Sequence, residues 1–265
     1  MSITTVGTHL IHYEALGRGQ PMIFLHGWLG SWRYWWPSMQ AMSTQHRSFA
    51  FDLWGFGDST KSPAMYTMNA YVEMIDQFIN QLGVVGPVIL VGHSLGAAVA
   101  LHYAAQNPDN VDKVAAVALP LQQSSIHGRL AQSDPDSFLD KVIGKANSFS
   151  EINSEIRKTD PAAMNELAKE LASSAAINLA DDLANCSRPV LLVFGGQDPV
   201  VPLSPGTLSQ LQRANSNRHY VILDECSHFP MLQEKAKFNR LLLDFIHTDS
   251  LAEVAPKEYW QRRTR

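Results

Sequence analysis

The sequence predicts an α/β fold in which helices cover both faces of a mainly parallel sheet. Short apolar, β-branched runs alternate with helical segments up to Leu119, the alternation stops at Pro120, and it resumes at Pro189. Strands that alternate with helices typically form a parallel sheet whose two faces are buried. The helical segment between the two parts is interpreted as a cap over a site, with a few extra surface helices as the alternative. We therefore expect a core of residues 1–119 and 186–248, a cap of residues 120–185 and a C-terminal tail of residues 249–265.

The first half of the chain predicts strands and helices in turn. Apolar runs bounded by turn residues indicate buried strands, and apolar residues at helical spacing indicate helices. Ser31 is a candidate N-cap, and Asn107-Pro108 ends the helix that follows Ser94. In chain order the predicted elements are strands Thr4–Val6, His9–Ala15 and Met22–Leu25, helix Ser31–Ser43, strand Ser48–Phe51, helix Asn69–Leu82, strand Val88–Val91, helix Ala97–Ala105 and strand Val111–Leu119.

The second half predicts the cap and then the rest of the sheet. No convincing strand occurs between Pro120 and about Asn185, and Asp160-Pro161 has the cap-then-proline pattern of a helix start. The predicted cap helices are Phe138–Ile143, Ile152–Arg157 and Met164–Leu183. The sheet resumes with strand Pro189–Phe194, helix Pro205–Arg213, strand His219–Leu223 and helix Glu234–Ile246.

Composition narrows the class of protein. Of the 265 residues, 45% are apolar and 17% are charged, which is a globular balance, and the net charge of −4 argues against nucleic acid as a partner. Cys186 and Cys226 lie far apart with no C-x-x-C, so neither a zinc site nor a redox pair is indicated. The N-terminus resembles no secretory signal and no apolar run is long enough for a membrane helix, so we expect a cytoplasmic protein without integral membrane association. The basic and aromatic stretch Pro256–Arg265 is interpreted as a solvated or loosely docked terminus rather than a membrane or partner contact.

A strand, a sharp turn and a helix surround Ser94. The pattern G-x-S-x-G alone is weak, but here Gly92 and Gly96 flank the serine, an apolar strand precedes it and an alanine-rich helix follows. In such a nucleophile elbow the serine adopts a strained conformation, and the flanking residues must be tiny because strand and helix pass very close. Ala97 and Ala98 would let the helix approach the sheet. Ser94 is therefore the candidate nucleophile.

A serine hydroxyl needs a base to take its proton. His228 fits this role because it follows a predicted strand, C-terminal to Ser94, in a loop at the strand's carboxyl end. His93 neighbours the serine but is expected to point elsewhere, His102 lies two turns along the helix, and His219 begins a strand at the wrong end of the sheet. His228 is therefore the candidate base.

The base needs an acid that orients its ring. Asp198 follows the preceding strand, so its loop would lie beside that of His228 if the two strands pair. Asp224 is the rival, but it is only four residues from His228 and close to its strand. Asp52 and Asp58 are interpreted as carboxylates that structure a loop. The order Ser94, Asp198, His228 is that of α/β-hydrolase triads.

The oxyanion of a tetrahedral intermediate requires hydrogen-bond donors. The backbone N–H of Leu95, at the start of the elbow helix, is one candidate. The other is expected from the loop after strand Met22–Leu25, where Gly27 allows close backbone approach. We assign it to the N–H of Trp28, with Leu29 as the alternative if the loop is shifted by one residue.

Five motifs together resemble the α/β-hydrolase superfamily over residues 5–247. They are specific for the fold and the triad, and less so for the substrate. The resemblance implies a mainly parallel eight-stranded sheet, the triad Ser94, Asp198 and His228, and a helical cap between the sixth and seventh strands. The motifs are His26-Gly27-Trp28, Asp52-Leu53-Trp54-Gly55-Phe56-Gly57-Asp58-Ser59, Gly92-His93-Ser94-Leu95-Gly96, Gly195-Gly196-Gln197-Asp198 and Ser227-His228-Phe229-Pro230.

The apex residue narrows the choice within this superfamily. Similar haloalkane dehalogenases and epoxide hydrolases carry an aspartate there, and Ser94 argues against both. Carbon–carbon bond hydrolases share the serine, but Phe229-Pro230 does not match their usual partner after the histidine. Carboxylesterases, lipases, thioesterases and cofactor-free perhydrolases remain open.

The substrate pocket is the least determined part of the prediction. Aromatic residues beside the oxyanion loop either line an apolar acyl pocket or belong to the core, the commoner outcome. We assign His26, Gly27 and Trp32 to substrate binding. The aromatic cluster consists of Trp28, Trp32, Tyr34, Trp35 and Trp36.

The sequence thus predicts a serine hydrolase that cleaves a small or medium apolar carboxylic ester through an acyl-enzyme. No metal and no organic cofactor are expected, and the partner is a small-molecule ester. The alternatives are a carbon–carbon hydrolase, a thioesterase or perhydrolase on the same triad, and a small-molecule receptor on this scaffold. A pure receptor has no need of the full set of motifs. The sequence does not indicate an oligomeric state.

Overall fold

A computed structural model describes residues 2–28, 30–121, 155–173, 177–211 and 217–257. Its strands are β1 (Ser2–Val6), β2 (His9–Gly17), β3 (Gln20–Leu25), β4 (His46–Phe51), β5 (Val88–His93), β6 (Val111–Val117), β7 (Val190–Gly195) and β8 (Arg218–Leu223). Its α-helices are α1 (Trp36–Met42), α2 (Met68–Gln81), α3 (Leu95–Gln106), α4 (Pro161–Ser173), α5 (Leu179–Asn185), α6 (Pro205–Leu211), α7 (Pro230–Gln233) and α8 (Lys235–His247).

The eight strands form one sheet in the order β1-β2-β4-β3-β5-β6-β7-β8. Strand β2 is antiparallel to both β1 and β4, and every other pairing is parallel. The predicted α/β class with a mainly parallel sheet is confirmed. Strands β3, β5 and β7 are largely or wholly buried, as expected where helices cover both faces.

The parallel register brings the carboxyl ends of the central strands to one edge of the sheet. Leu25 pairs with Gly92, and His93 pairs with Val117. On the other side of β6, Val117 pairs with Val193. Loops that follow these strands therefore meet at this edge, where ligands bind in open α/β sheets.

Two predicted helices differ from the structure. The segment expected as helix Ser31–Ser43 begins with a 3₁₀ turn at Trp32–Trp35, and α1 starts only at Trp36. Ser31 does act as its N-cap, since its hydroxyl accepts a hydrogen bond from the Arg33 N–H at 3.2 Å.

The single helix predicted over Met164–Leu183 is wrong. The structure instead has α4, which begins at Pro161, and a separate α5. The side chain of Asn178 accepts hydrogen bonds from the N–H groups of Ala180 and Asp181, so it caps a new helix start.

The predicted division into core, cap and tail stays a prediction. Helix Phe138–Ile143, the first half of Ile152–Arg157 and the last eight residues of the tail lie outside the described residues. Between Pro120 and β7, the part of the chain that the structure describes contains no strand.

The described segment of residues 155–170 is bonded to the 3₁₀ turn after β3, to the loop after β4 and to the start of α2. Carboxylates or a backbone N–H group of this segment make each of these contacts. They are Glu155 Oε1 with Arg33 Nε at 2.9 Å, the Asp160 N–H with Gly55 O at 2.7 Å, Asp160 Oδ2 with the Tyr66 hydroxyl at 2.7 Å, and Glu170 Oε2 with the Met68 N–H at 2.7 Å. Glu155 is buried, whereas the side chain of Arg33 is about one-third exposed, so this ion pair is partly buried.

Among the helices that the structure describes, none has both the length and the apolar character needed to cross a membrane.

Candidate active site

Ser94 lies at the turn between β5 and α3 in a backbone conformation that few residues adopt. Its φ is 50° and its ψ is −110°. A non-glycine residue at positive φ costs about 1–3 kcal/mol and persists only where the surroundings enforce it. The Ser94 N–H donates to Val117 O at 2.8 Å, and the Ser94 carbonyl accepts from the Ala98 N–H at 3.0 Å. The first bond ties the turn to the end of β6, and the second ties it to α3, so both hold Ser94 in this conformation.

The glycines on each side of Ser94 are required by close backbone contact. A Cβ at Gly92 would collide with the backbone of Gly96 and would lie 2.6 Å from Cα of Ala97. A Cβ at Gly96 would collide with the backbone carbonyl of Leu25 and would lie 2.6 Å from that of His26. Both positions therefore exclude any side chain, as a nucleophile elbow requires.

His228 and Asp198 form a buried pair. His228 Nδ1 lies 2.8 Å from Asp198 Oδ2, and both residues are buried. The loops that hold them are joined by backbone hydrogen bonds, because the Gln197 N–H donates to Cys226 O at 2.9 Å. The ring of His228 also packs at 4.7 Å, between centroids, on the ring of His93, which directly precedes Ser94. The structure thus brings the predicted base and acid together, next to the elbow.

Asp198 is held as a carboxylate that faces His228. Its Oδ1 accepts hydrogen bonds from the N–H groups of Val200 at 2.8 Å and Val201 at 3.0 Å. Burial by itself would raise the pKa of Asp198, but His228 and the two N–H groups outweigh it, so the pKa is lowered. The rival Asp224 is exposed. The contacts therefore favour Asp198 as the group that orients His228.

The loop after β3 touches the elbow through Gly27. A Cβ on Gly27 would lie 3.0 Å from Cβ of Ser94 and 2.8 Å from Nδ1 of His93. Both polar groups of Gly27 are bonded: its N–H to the Tyr34 hydroxyl at 2.5 Å, and its carbonyl to the Gly30 N–H at 3.1 Å and to His26 Nδ1 at 2.8 Å. This loop is therefore fixed next to the serine.

The two candidate oxyanion donors lie on these fixed segments. The Leu95 N–H belongs to the first residue of α3, where helix geometry provides no carbonyl within the helix. Trp28 follows Gly27 directly and its side chain is buried. Leu29, the alternative donor, lies outside the described residues. The assignment of Trp28 and Leu95 stays a prediction.

The three residues expected to bind substrate fall into different settings. His26 is fully buried, and its ring nitrogens bond to the backbone: Nδ1 to Gly27 O, and Nε2 to the Leu53 N–H at 2.9 Å. Its ring therefore holds two loops together, which favours positioning over contact with a ligand. Gly27 lies against Ser94, as described above. The ring of Trp32 packs on His12, Trp36 and Arg33. None of these residues belongs to the elbow or to the loops of Asp198 and His228.

The aromatic cluster is divided between core and surface. Trp35 is fully buried between Phe24 of β3 and Phe238 of α8, at ring centroid distances of 5.3 and 6.2 Å. It therefore belongs to the core and cannot line an acyl pocket. Trp36 is 37% exposed. The indole N–H of Trp28 has no hydrogen-bond partner among the described residues.

Two residues that sequence reasoning did not assign to the site connect its loops. His93 is fully buried, with Nδ1 at 3.0 Å from the Tyr34 hydroxyl and Nε2 at 2.8 Å from His228 O. Tyr34 was interpreted only as a member of the aromatic cluster. Its position seven residues after Gly27 gives no sequence signal for this contact, since the contact depends on how the 3₁₀ turn orients the ring.

A cluster of potential metal ligands is formed by His12 of β2 and two carboxylates of the loop after β4. Atoms of His12, Asp52 and Asp58 lie within 4.8 Å of one another. However, Asp52 Oδ2 accepts from the Asp58 N–H at 3.0 Å and lies 2.8 Å from His12 Nδ1, while Asp58 pairs with Lys158 at 2.8 Å. These contacts favour a role in structuring the loop, as the sequence indicated.

Free thiols do not compete with Ser94 as nucleophiles. Cys226 lies in the loop that leads to His228, but it is buried, and burial raises its pKa to about 11. Burial also raises the pKa of Cys186. Both thiols are therefore protonated near neutral pH, and a protonated thiol is a poor nucleophile.

Protonation of buried histidines is expected to destabilise the fold in mild acid. Burial lowers the pKa of His26 and, further, that of His93, which faces His228, Asp198 and His26. In the unfolded chain these histidines have a pKa near 6.5, so below this pH they bind protons there but stay neutral in the folded chain. The folded state therefore loses stability as the pH falls. His46, whose pKa is also lowered, adds in the same direction. Between pH 7.5 and 5.5 the free energy of unfolding, measured in urea, should fall, and His93, whose pKa is lowered furthest, should contribute most.

The variant His93→Gln should reduce this pH dependence, because it removes one of the titrating groups. The pKa of Asp198, which is lowered from 3.8, affects stability only below about pH 4 and leaves this window unchanged. Equal stability at pH 7.5 and 5.5 would contradict the expectation.

The chain belongs to the α/β-hydrolase family. A family model described as "alpha/beta hydrolase fold" matches residues 20–172, more than half of the chain. The match includes the loop after β3 and the turn at Ser94. The family match and the eight-stranded sheet therefore both confirm the resemblance to α/β-hydrolases that the motifs indicated.

Relatives within the family differ in chemistry. The chain is 25% identical over 260 residues to a pimeloyl-[acyl-carrier protein] methyl ester esterase of Vibrio cholerae, covering 90% of this chain and 98% of that protein. It is 31% identical over 109 residues to a soluble epoxide hydrolase of a Corynebacterium species, covering 41% of this chain and 38% of that one. The crystal structure of an N-acyl homoserine lactonase superposes with a TM-score of 0.80 at 21% identity, covering 92% and 96% of the two chains.

Proposed function

We propose that this chain is a serine esterase that cleaves a small or medium apolar carboxylic ester through an acyl-enzyme. The observation that carries the proposal is the His228–Asp198 contact of 2.8 Å, buried beside a serine at φ 50°. Ser94 attacks the ester carbonyl, and His228 takes the serine proton. His228 then returns that proton to the leaving alcohol. Water attacks the acyl-enzyme in the second half of the reaction by the same route.

The geometry around Asp198 supports this division of roles. The carboxylate accepts three hydrogen bonds, from Val200, Val201 and His228. It therefore favours the imidazole form that carries its proton on Nδ1 and leaves Nε2 to accept the serine proton. When His228 becomes charged, the buried carboxylate stabilises the imidazolium.

Charge that develops on the carbonyl oxygen requires donors on the other side of the acyl group. The Leu95 N–H at the start of α3 and the Trp28 N–H after Gly27 are the groups proposed for this role. One preformed donor of this kind accounts for roughly 10²–10³ in rate. Gly27, whose Cβ position lies 3.0 Å from that of Ser94, brings the second donor near the reacting centre.

The apex residue favours ester over epoxide hydrolysis. The epoxide hydrolases that resemble this chain place an aspartate where Ser94 stands, and an aspartate forms an alkyl ester that a serine does not. The full-length similarity to a methyl ester esterase supports the same choice. Trp28, Leu95 and Phe229, which are buried beside the proposed reaction centre, make its surroundings apolar.

The test is hydrolysis of nitrophenyl esters from acetate to a long acyl chain by the full chain. We expect turnover to be highest for short and medium acyl groups and to fall for the longest. The same series should include a thioester and a diketone.

Turnover of the diketone alone would overturn the proposal in favour of carbon–carbon hydrolysis. Tight binding of an ester analogue without turnover of any compound would favour a receptor on this scaffold. Faster cleavage of the thioester than of every oxygen ester would make the chain a thioesterase.

A further inference from the structure

A buried chain of hydrogen bonds passes from the oxyanion loop to the loop of His228. The Gly27 N–H donates to the Tyr34 hydroxyl at 2.5 Å, which lies 3.0 Å from His93 Nδ1. His93 Nε2 lies 2.8 Å from the carbonyl oxygen of His228. We call Tyr34 and His93 the relay pair. The chain begins and ends on segments that the proposed esterase mechanism uses.

Only one arrangement of protons satisfies every group in this chain. The Gly27 N–H can only donate, so the Tyr34 oxygen accepts it and gives its own proton to His93 Nδ1. His93 then carries its hydrogen on Nε2 and donates it to His228 O, which can only accept. Burial lowers the pKa of His93 and raises that of Tyr34, so both side chains are neutral, as this arrangement requires.

The relay pair is also packed against the triad histidine. The ring of His93 lies 4.7 Å from that of His228 and 4.8 Å from that of Phe229, between centroids. Tyr34 contacts Phe229 at 6.1 Å. Apolar side chains would fill this space without the cost of desolvating two polar groups, so simple packing does not explain why a hydroxyl and an imidazole occur here.

We propose that Tyr34 and His93 are positioning residues, which hold the oxyanion loop and the His228 loop at a fixed separation. This rests on the esterase function proposed above. The N–H of Trp28 and the imidazole of His228 must act on one acyl group, from loops that follow strands β3 and β8. Those strands are not neighbours in the sheet, so sheet hydrogen bonds do not set this separation directly. The relay pair bridges it.

The variant Tyr34→Phe removes both hydrogen bonds of the hydroxyl and leaves the Gly27 N–H buried without its acceptor. We expect kcat for a short nitrophenyl ester to fall about 10- to 100-fold while KM changes less than threefold, since a transition-state contact is lost rather than ground-state binding. Affinity for a trifluoromethyl ketone, which forms the tetrahedral oxyanion, should fall in parallel with kcat/KM.

The matched control is Tyr71→Phe. Tyr71 is also fully buried, and its hydroxyl donates to the Trp54 carbonyl at 2.8 Å, away from the elbow. Both variants should lower the Tm by a similar amount, but Tyr71→Phe should keep kcat within about twofold. If the two variants lose activity equally, the loss reflects stability alone and the proposal fails.

Two variants of His93 distinguish the effect of its hydrogen bonds from the effect of the shape of its ring. His93→Gln keeps a donor for His228 O and an acceptor for Tyr34, and should retain activity to within about tenfold. His93→Phe keeps a ring but neither group, and should lose about as much as Tyr34→Phe. Because both residues act in one chain, the double variant Tyr34→Phe, His93→Phe should lose little more than the worse single variant. Additive losses would contradict the relay.

An NMR measurement tests the relay without relying on ester turnover. Amide signals of both Gly27 and His228 should shift in Tyr34→Phe and in His93→Gln, and neither should shift in Tyr71→Phe. If the shifts occur at both ends but the wild type cleaves no ester, the esterase function is wrong and the coupling of the loops stands. If each variant shifts only the end it touches, the relay is refuted even in an active esterase.

Discussion

Replacing Ser94 with alanine is expected to lower kcat/KM for nitrophenyl esters by about 10⁴-fold or more, the scale of loss seen when a triad member is removed. The variant removes only the hydroxyl. Its turn is held by backbone hydrogen bonds to Val117 and Ala98, which alanine keeps. We therefore expect the folded state to survive, with any change in Tm of a few degrees. Initial rates on acetate and butyrate esters measure the effect.

A surface serine provides the control for this experiment. Ser250 is exposed and lies beyond α8, so Ser250→Ala should leave the rate within twofold of the wild type. Ester cleavage by Ser94→Ala at the wild-type rate would show that Ser94 is not the nucleophile. The proposed function would then be withdrawn.

Replacing Asp198 with asparagine is expected to lower kcat by about 10³- to 10⁴-fold. Asparagine has nearly the shape of aspartate, and its oxygen can still accept from the N–H groups of Val200 and Val201. Its NH₂ group would then face His228 Nδ1 and favour the imidazole form that carries its proton on Nε2. That form cannot accept the serine proton. KM should change little, because the carboxylate does not touch the ester.

The exposed Asp224 supplies a matched control, because it was the rival acid in the sequence and lies on the same segment as His228. Asp224→Asn should leave kcat within twofold. If Asp224→Asn loses more activity than Asp198→Asn, the acid has been assigned to the wrong residue. The urea midpoint of each variant, measured alongside its kcat, separates loss of chemistry from loss of structure.

The fold class could be predicted because its signals are local and repeated. Short apolar runs such as Val88–Val91 alternate with helical spacing, and a parallel sheet follows from that alternation. The elbow could be located because only glycine fits at residues 92 and 96, where a Cβ would meet backbone atoms. The pairing of Asp198 with His228 was expected from two loops that follow adjacent strands.

The parts that could not be predicted depend on contacts between distant segments. The break between α4 and α5 was missed because both sides have helical spacing, while the cap made by Asn178 resembles an ordinary polar residue in sequence. Trp35 and Trp32 look alike in sequence, but the ring of Trp35 packs in the core, whereas the ring of Trp32 packs on His12 of β2 and Trp36 of α1. His26 was assigned to substrate binding from its place in the loop, which stays a prediction, and nothing in the sequence indicated that both its nitrogens contact the backbone.

The order of the strands has a consequence for how quickly the chain folds. Strand β3 pairs with β5, and β6 pairs with β7, so each of these contacts joins segments that are far apart in sequence. Closing such long loops costs entropy before any contact is gained, and domains with high contact order fold slowly. The loops that carry Gly27, Ser94, Asp198 and His228 meet only after those pairings exist. Recovery of the proposed esterase activity during refolding should therefore be among the last signals to return, well after helical circular dichroism.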